Sequence, residues 1–327
     1  MILLSYSQSP ETLKDWSDHS LSRLIALPYE KPRDFWVLKD DAHSILGRVG
    51  AGLSLVRPTL GWIGFFELKD PEDFESASIL LECACSFLKK SGATRAVGPL
   101  HLNTWLPYRF ALPAEDSQRF IWEPSNPASY PQHWKRSGFK REMLYSSEGH
   151  GEFGSLMERL KPEWIRARDQ GYSFRPIDPE RLLDQELKIL HRLSMIGFSQ
   201  NHLFEPLPEM LFRELYVPLA GKNARQNLSL SGFVLSPEGE EVGFSFSFID
   251  SSQGDPKVVL KTATLLPAHR GKGLSNALFY ETLHGLDPSV HREFVSALVK
   301  EGAQSHSYGR KHPRLWRHEY ELLYRDL

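Results

Sequence analysis

A strand, a glycine-rich turn, a helix and a second strand follow one another in the C-terminal half of this 327-residue chain. The apolar strand Lys257–Leu266 leads through the turn Arg270-Gly271-Lys272-Gly273 into a helix that starts at Gly273 and runs to about Gly285. Glu293–Leu298 is the strand that follows. A helix that links two neighbouring strands of one sheet makes those strands parallel and the connection right-handed. The segment therefore predicts an α/β unit built around this crossover.

The first half of the chain has the same layout. Three strand-like runs, Phe35–Leu38, Ser44–Pro58 and Leu60–Leu68, precede a helix predicted over Asp73–Lys90. A further strand is predicted at Ala93–Leu100. The glycines between Glu148 and Gly154 are the best boundary, and 327 residues are about twice the ~150-residue prior for one domain. We expect two tandem domains, 1–148 and 149–327, each with a mixed, mostly antiparallel sheet and a central strand–helix–strand crossover.

Finer predictions come from the periodicity of each segment. In the first half, Tyr130–Ser137 is predicted as a helix and residues 138–145 as a strand. The second half is predicted to contain strands at Tyr172–Ile177, Asn227–Leu235, Glu241–Ile249 and Trp316–Tyr324, and a broken helical stretch at Leu182–Leu219.

Charge and composition exclude several classes of protein. Lys plus Arg number 39 against 41 Asp plus Glu, so the net charge of −2 provides no global field for nucleic acid, and we expect no nucleic-acid partner. No segment has the length of an apolar membrane span and the first residues lack a signal-peptide pattern, so we predict a cytoplasmic protein with no membrane partner. Cys83 and Cys85 are predicted to be reduced helix residues, and no metal site is expected. The oligomeric state cannot be derived from the sequence.

The turn between residues 270 and 273 has the chemistry of a pyrophosphate site. Its glycines let backbone N–H groups converge, the following helix adds a positive dipole, and Arg270 and Lys272 add full charges. A dinucleotide-binding fingerprint is disfavoured because Asn276 stands where a small residue is required. The Lys-Ser or Lys-Thr pair of a Walker loop is absent.

This segment, LLPAHRGKGLSNAL, closely resembles the Arg/Gln-x-x-Gly-x-Gly/Ala loop of the GCN5-related N-acetyltransferases. Arg270, Gly273 and Ser275 fill its three defining places, with serine in place of the usual glycine or alanine. The resemblance covers the chain from Tyr172 onward and implies that acetyl-coenzyme A or coenzyme A is the co-substrate. The residues that it implies for coenzyme A binding are Leu265, Leu266, Arg270, Gly271, Lys272, Gly273, Leu274, Ser275 and Asn276.

Catalytic residues follow from the same resemblance. Ser305 and Tyr308 fall where the family often places a hydroxyl that protonates the leaving thiolate. The strand Lys257–Leu266, which by this resemblance is the family's fourth strand, carries no carboxylate that could serve as a general base. His202 and Glu205 are therefore unranked alternatives to water. His269 is predicted to be a surface histidine.

The first half resembles a degenerate copy of the same fold. Its strand meets its helix through Asp70, Glu72, Asp73 and Glu75, which satisfy the helix dipole and repel phosphate. We therefore expect no coenzyme A binding there. The tandem layout resembles that of mycothiol synthase-like and other double-domain acetyltransferases.

Two clusters have competing interpretations. An aromatic set could line an acceptor pocket, although packing explains most of its members: Trp105, Tyr108, Phe110, Phe120, Trp122, Tyr130 and Trp134. A basic set near the C-terminus is interpreted mainly as a solvated face: Arg310, Lys311, His312, Arg314 and Arg317.

The predicted function is transfer of an acetyl or other acyl group from coenzyme A to an amine of a small-molecule or peptide acceptor. The alternatives are an aminoacyl or long-chain acyl transferase and a non-catalytic coenzyme A-binding pseudoenzyme.

Overall fold

The computed structural model describes residues 1–5, 30–114, 119–220, 226, 228–302 and 311–327. The chain divides into two compact units. Unit 1 comprises 1–113, 124–145 and 319–327, and unit 2 comprises 114–123 and 146–318. The units interleave along the chain, whereas the sequence predicts two consecutive blocks.

Unit 1 is an α/β unit whose strands follow the order β1-β2-β3-β4-β5-β13-β7. Its elements are β1 (Ile2–Ser5), β2 (Arg33–Lys39), β3 (Ile45–Leu53), β4 (Leu60–Leu68), α1 (Phe74–Lys90), β5 (Arg95–Gly98), β6 (Phe110–Ala111), α2 (Ser129–Arg136), the first part of β7 (Lys140–His150) and the last part of β13 (Arg314–Asp326).

The crossover of unit 1 is the one that the sequence predicts. β4 and β5 are parallel, with Leu60 opposite Arg95 and Trp62 opposite Val97. Helix α1 begins after Asp73, whose carboxylate accepts the amide of Ser76 at 3.0 Å, and its buried face joins the core beneath the sheet. The last strand completes this sheet, because Leu323 of β13 pairs with Gly98 of β5.

Unit 2 contains the second crossover, in a sheet ordered β7-β12-β11-β10-β9-β8. Its elements, besides parts of β7 and β13, are α3 (Phe153–Asp169), β8 (Ser173–Pro176), a π-helical turn (Leu182–Glu186), α4 (Leu187–Gly197), α5 (Glu209–Tyr216), β9 (Gly232–Leu235), β10 (Glu241–Asp250), β11 (Lys257–Leu265), α6 (Leu274–Leu283) and β12 (Glu293–Lys300). Short 3-10 turns occupy Val217–Ala220 and Pro267–His269.

Alternating residues of β11 and β12 separate the two faces of this sheet. Val258 and Phe294 pack with Phe279 of α6 and with residues of α3. The next residues along, Val259 and Val295, point to the opposite face. We refer to the face that α3 and α6 cover as the α6 face and to the other as the open-strand face.

One helix of unit 2 is not predicted from the sequence, and the predicted start of one strand is wrong. Residues 153–169 form α3, where no helix is predicted, although Phe153, Leu156, Met157 and Leu160 have helical spacing and are buried. Pro162 inside the helix and the preceding glycines obscure this pattern, since proline removes one helical hydrogen bond. The strand predicted from Asn227 begins only at Gly232, because Ser231 closes a turn onto the carbonyl of Leu228.

Other residues that the sequence singles out have ordinary structural roles. Cys85 is buried and Cys83 is half-buried in α1, both are free thiols, and burial raises the pKa of Cys83 to about 11 and the pKa of Cys85 to about 12. Arg314 and Arg317 both donate to Glu148. His312 is buried with its ring against Phe294, so the interpretation of this residue as part of a solvated face is wrong. Arg310 lies outside the described residues.

Two kinds of feature are absent from the part of the chain that the structure describes. No helix there is long and apolar enough to cross a membrane. No group of three or more His, Cys, Asp or Glu side chains there could hold a metal ion.

Candidate functional site

The parallel strands β11 and β12 separate towards their carboxyl ends. They pair from Lys257 with Glu293 to Leu260 with Ser296, and no register pair joins them beyond that point in the described residues. β11 nevertheless continues to Leu265 and β12 to Lys300. The register between β11 and β12 therefore ends before either strand does. Such a gap can accept an extended, amide-bearing chain between the two strands.

A turn with two left-handed glycines follows β11 and leads into the N-terminus of α6. Gly271 has φ +77° and Gly273, the N-cap of α6, has φ +75°, a conformation that favours glycine. Among the hydrogen bonds of the described residues, none uses the backbone N–H of residues 271–276, and Ala277 is the first to donate, to the carbonyl of Gly273. Together with the dipole of α6, these amides form a cradle for an anion.

The two cations of this turn are held by oxygen atoms of the protein. The Nε of Arg270 donates to the Leu265 carbonyl at 3.0 Å, and its Nη2 donates to the Gly197 carbonyl at 2.6 Å. Gly197 is the last residue of α4, so the guanidinium joins a helix C-terminus, where a cation is favoured, to the end of β11. Lys272 donates to the Tyr172 hydroxyl at 2.9 Å. The phosphate contact that the sequence predicts for both side chains stays a prediction.

A carboxylate of α3 lies directly beside the cradle. A Cβ added to Gly273 would overlap the carboxylate of Glu163, which forms an ion pair with Arg166 one turn later in the same helix. The side chain of Glu163 is 25% exposed. A carboxylate of the protein thus lies beside Gly273, the N-cap of α6. Sequence reasoning could not find this contact, because it does not predict α3.

The remaining predicted site residues differ in their burial and location. Leu265 and Leu274 are buried in the core between the sheet and α6. Leu266, directly after β11, is partly exposed, as are Ser275 and Asn276 in the first turn of α6. Ser305 and Tyr308 lie outside the described residues.

The base candidates are placed as follows. His269 is partly exposed, and its Nδ1 lies 3.0 Å from the hydroxyl of Tyr172. Glu205 is 4% exposed and His202 is partly buried, both in the loop after α4.

The corresponding region of unit 1 is filled by its own chain. The last pair of β4 and β5 joins Trp62 to Val97, after which the amide of Leu100 donates to the carbonyl of Ile63 at 2.8 Å. Gly64 lies so close to the Leu100 carbonyl that a Cβ there would clash with it. The backbone after β5 therefore stays bonded to β4, where in unit 2 the strands are apart.

His101 continues this closure of unit 1. Its ring lies against Phe65 with centroids 4.5 Å apart, and its Nδ1 lies 2.6 Å from the carbonyl of Pro107. Burial, opposed by this carbonyl and assisted by the charge of Arg48, lowers the pKa of His101 to about 4. His101 is thus held neutral in the folded protein.

We expect His101 to make unit 1 sensitive to mild acid. Its folded pKa of about 4 lies below the unfolded value of 6.5, so its contribution to stability is complete above pH 6.5 and is lost as the pH falls towards 4. When the pH is lowered from 7 to 4.5, the thermal midpoint of unfolding should fall less in His101→Gln than in the wild type. His43→Gln, at an exposed position of unit 1, should leave the wild-type slope unchanged. Equal slopes for wild type and His101→Gln would contradict this assignment.

Comparisons with known proteins identify the fold. No protein-family model matches the chain, and no curated protein matches its sequence. Among solved structures, a tandem GNAT protein from the clavulanic acid biosynthesis pathway aligns over 99% of this chain and 98% of its own, with 12% identity and a TM-score of 0.50.

Two further solved structures agree with this match. A GCN5-related N-acetyltransferase from Anabaena variabilis aligns over 99% of this chain and 73% of its own, at 8% identity and a TM-score of 0.57. A probable N-acyltransferase from Enterococcus faecalis aligns over all of this chain and 73% of its own, at 10% identity and a TM-score of 0.55. At these identities the likeness is one of fold.

Proposed function

We propose that this chain, which has the tandem GCN5-related N-acetyltransferase fold, transfers an acetyl or other acyl group from coenzyme A to an amine. The observation that carries the proposal is the conjunction in unit 2 of separated strands and an amide cradle. β11 and β12 part after Leu260 and Ser296, and the free amides of residues 271–276 lie just beyond the end of β11.

The shape and charge of coenzyme A fit these two features. Its pyrophosphate requires convergent N–H donors and a helix N-terminus, which the turn before α6 supplies. Its pantetheine arm is a narrow chain with two amides, which suits the opening beyond Leu260 and Ser296, where β11 and β12 no longer pair with each other. Tyr172 and Arg270 hold the turn in place through Lys272 and the two carbonyls already described.

The proposed reaction has three steps that the protein must support. The acceptor amine must lose a proton, its nitrogen must attack the thioester carbonyl, and the thiolate of coenzyme A must leave. We propose His202 or Glu205, directly or through water, for the first step, and a hydroxyl of Ser305 or Tyr308 for protonation of the thiolate. Coenzyme A as donor accords with the cytoplasmic location predicted from the sequence.

Only unit 2 is proposed to bind the donor. In unit 1 the carboxylate of Asp73 already caps the helix that corresponds to α6, and Leu100 is bonded to β4. A carboxylate cap repels phosphate, and the bonded backbone leaves no gap between the strands for a pantetheine arm.

A second candidate function is coenzyme A binding without transfer. Glu163, beside Gly273, favours this function, because a carboxylate at the cradle weakens donor binding and moves the change in occupancy to higher donor concentrations, as a sensor of the donor requires.

A thiol-release assay distinguishes the two functions. Acetyl-coenzyme A is mixed with the protein and a panel of primary amines, and free thiol and acetylated amine are both quantified. The proposal expects the two products in equal amounts with at least one amine. Donor binding without either product would support the second candidate and contradict transfer.

A further inference from the structure

A short segment from the first half of the chain packs on unit 2. We call Arg119–Glu123 the strap. The amide of Arg119 donates to the side chain of Gln253 at 3.0 Å, and the amide of Ile121 donates to the buried carboxylate of Asp250 at 2.8 Å. These bonds fix the strap to the end of β10 and the loop that follows it.

The other end of the strap is held equally firmly. Glu123 has a fully buried carboxylate that accepts the amide of Phe120 at 3.1 Å and lies 2.8 Å from the Nδ1 of His318. Arg119 pairs with the same carboxylate at 3.1 Å. The strap is therefore a fixed feature of unit 2, with its course set by buried polar groups at both ends.

The strap lies on the open-strand face of the sheet. Phe120 packs with Phe248, Val259 and Val295, the residues that point away from α6. Phe246 and Phe248, two residues apart on β10, both join the cluster on this face, and their rings are in contact.

Trp122 is the exposed part of the strap. Its side chain is 53% exposed, and its ring lies over Phe248 with centroids 4.9 Å apart and near Phe246 at 6.0 Å. Its φ of +66° is a strained conformation for a bulky residue, and it persists because the bonds of the strap determine it. The hydrogen bonds of the strap thus hold a large apolar ring in contact with solvent.

The position of Trp122 relates it to the opening between the strands. Phe246 pairs with Thr262 of β11, two residues beyond Leu260, which is the last to pair with β12. The ring platform of Trp122 and Phe246 therefore stands one strand away from the place where β11 and β12 part. An acyl carbon that emerges from this gap on the open-strand face would meet an acceptor resting on the platform.

We propose that the acceptor is an arylalkylamine, a primary amine on a short chain attached to an aromatic ring, and that Trp122 and Phe246 bind this ring. The inference rests on the proposed function. Flat rings stack or meet edge to face with other rings, which an exposed indole beside a phenyl ring allows. A polyamine would need carboxylates, yet Asp250 accepts the amides of Ile121 and Ser252, and Glu123 is buried against His318. The described groups around the platform therefore favour a ring over a second ammonium.

The test compares two amines of the same size and charge. 2-Phenylethylamine and 2-cyclohexylethylamine share the chain and the ammonium and differ in aromaticity, and spermidine represents the polyamines. Acetyl transfer should give a kcat/KM for phenylethylamine at least tenfold above that for either of the others. Equal values for the two ring amines, or the highest value for spermidine, would overturn the proposal.

Variants of the strap test whether Trp122 is the residue that binds the aromatic ring of the acceptor. Trp122→Ala should raise the KM for phenylethylamine at least tenfold and leave the KM for acetyl-coenzyme A unchanged, while Trp122→Phe should retain most of the affinity. Ile121→Ala, a truncation of the exposed neighbour in the same strap, is the matched control and should behave as the wild type. An unchanged acceptor KM in Trp122→Ala would overturn the proposal.

A binding measurement separates this inference from the proposed function. In the presence of coenzyme A, phenylethylamine should quench tryptophan fluorescence in the wild type and in Ile121→Ala but not in Trp122→Phe. Quenching without any thiol release would contradict the transferase and support the aryl site. Thiol release from other amines without this quenching would support the transferase and overturn the aryl site, and the absence of both signals would overturn both.

Discussion

Replacing Gly273 by valine should reduce coenzyme A affinity by about a hundredfold or more. Valine is strained at the φ of +75° that this N-cap adopts, and its side chain would project to where the carboxylate of Glu163 now lies, beside the amides of α6. A phosphate could then no longer approach those amides closely. Calorimetric titration with coenzyme A measures the loss.

A matched variant separates this effect from backbone strain alone. Gly239 has φ +86° in the turn between β9 and β10, and a Cβ there meets nothing within 4 Å. Gly239→Val should therefore carry a similar strain and yet bind coenzyme A as the wild type does. If Gly273→Val also bound normally, the cradle would not be the phosphate site.

Replacing Glu163 by glutamine should tighten coenzyme A binding by about tenfold. Glutamine keeps the size of the side chain and removes the negative charge beside Gly273, where bound phosphate would repel it. A unit charge about 4 Å from another contributes ~1–4 kcal/mol between bulk water and a protein surface, and ~1.4 kcal/mol is a factor of ten. The release of Arg166 from its ion pair adds a cation near the cradle. Titration of both proteins at low and high salt measures the gain, which salt should diminish.

Glu158→Gln is the control for this substitution. It removes one carboxylate from an exposed position of the same helix, more than a turn away from Glu163. Coenzyme A affinity should change little in this variant. Unchanged or weaker binding in Glu163→Gln would mean that the carboxylate does not compete with phosphate.

The local architecture is accessible from the sequence because each element carries its own periodicity. The strand Leu60–Leu68, the helix that ends at Lys90 and the strand from Lys257 agree with the predictions within one residue. The glycine turn before α6 is also recognisable, since Gly271 and Gly273 adopt the left-handed conformation for which glycine is used. Local chemistry determines all of these features.

Features that depend on distant parts of the chain are not accessible. Nothing in the local pattern of β13 indicates that Leu323 pairs with Gly98, more than two hundred residues earlier. The strap has too few residues for a period, so the packing of Phe120 on Val259 needed the structure. These are tertiary contacts, and a single sequence carries no direct signal for them.

The candidate site combines both kinds of feature. The turn and its amides are predicted, whereas the bond from Arg270 to the Gly197 carbonyl and the carboxylate of Glu163 beside Gly273 are not. The sequence pattern predicts that Arg270 binds phosphate. The partners that this side chain has in the structure are the backbone carbonyls of Leu265 and Gly197, and a backbone carbonyl leaves no signal in a sequence. In the structure this side chain first serves to join α4 to β11.

The central claim is that the chain has one coenzyme A site and that it lies in unit 2. Isothermal titration of the full chain with coenzyme A tests it most directly, with Gly273→Val titrated in parallel. We expect a stoichiometry near one in the wild type and an affinity that is lower by about a hundredfold or more in the variant. A stoichiometry near two, or one site of unchanged affinity in Gly273→Val, would contradict a single site in unit 2.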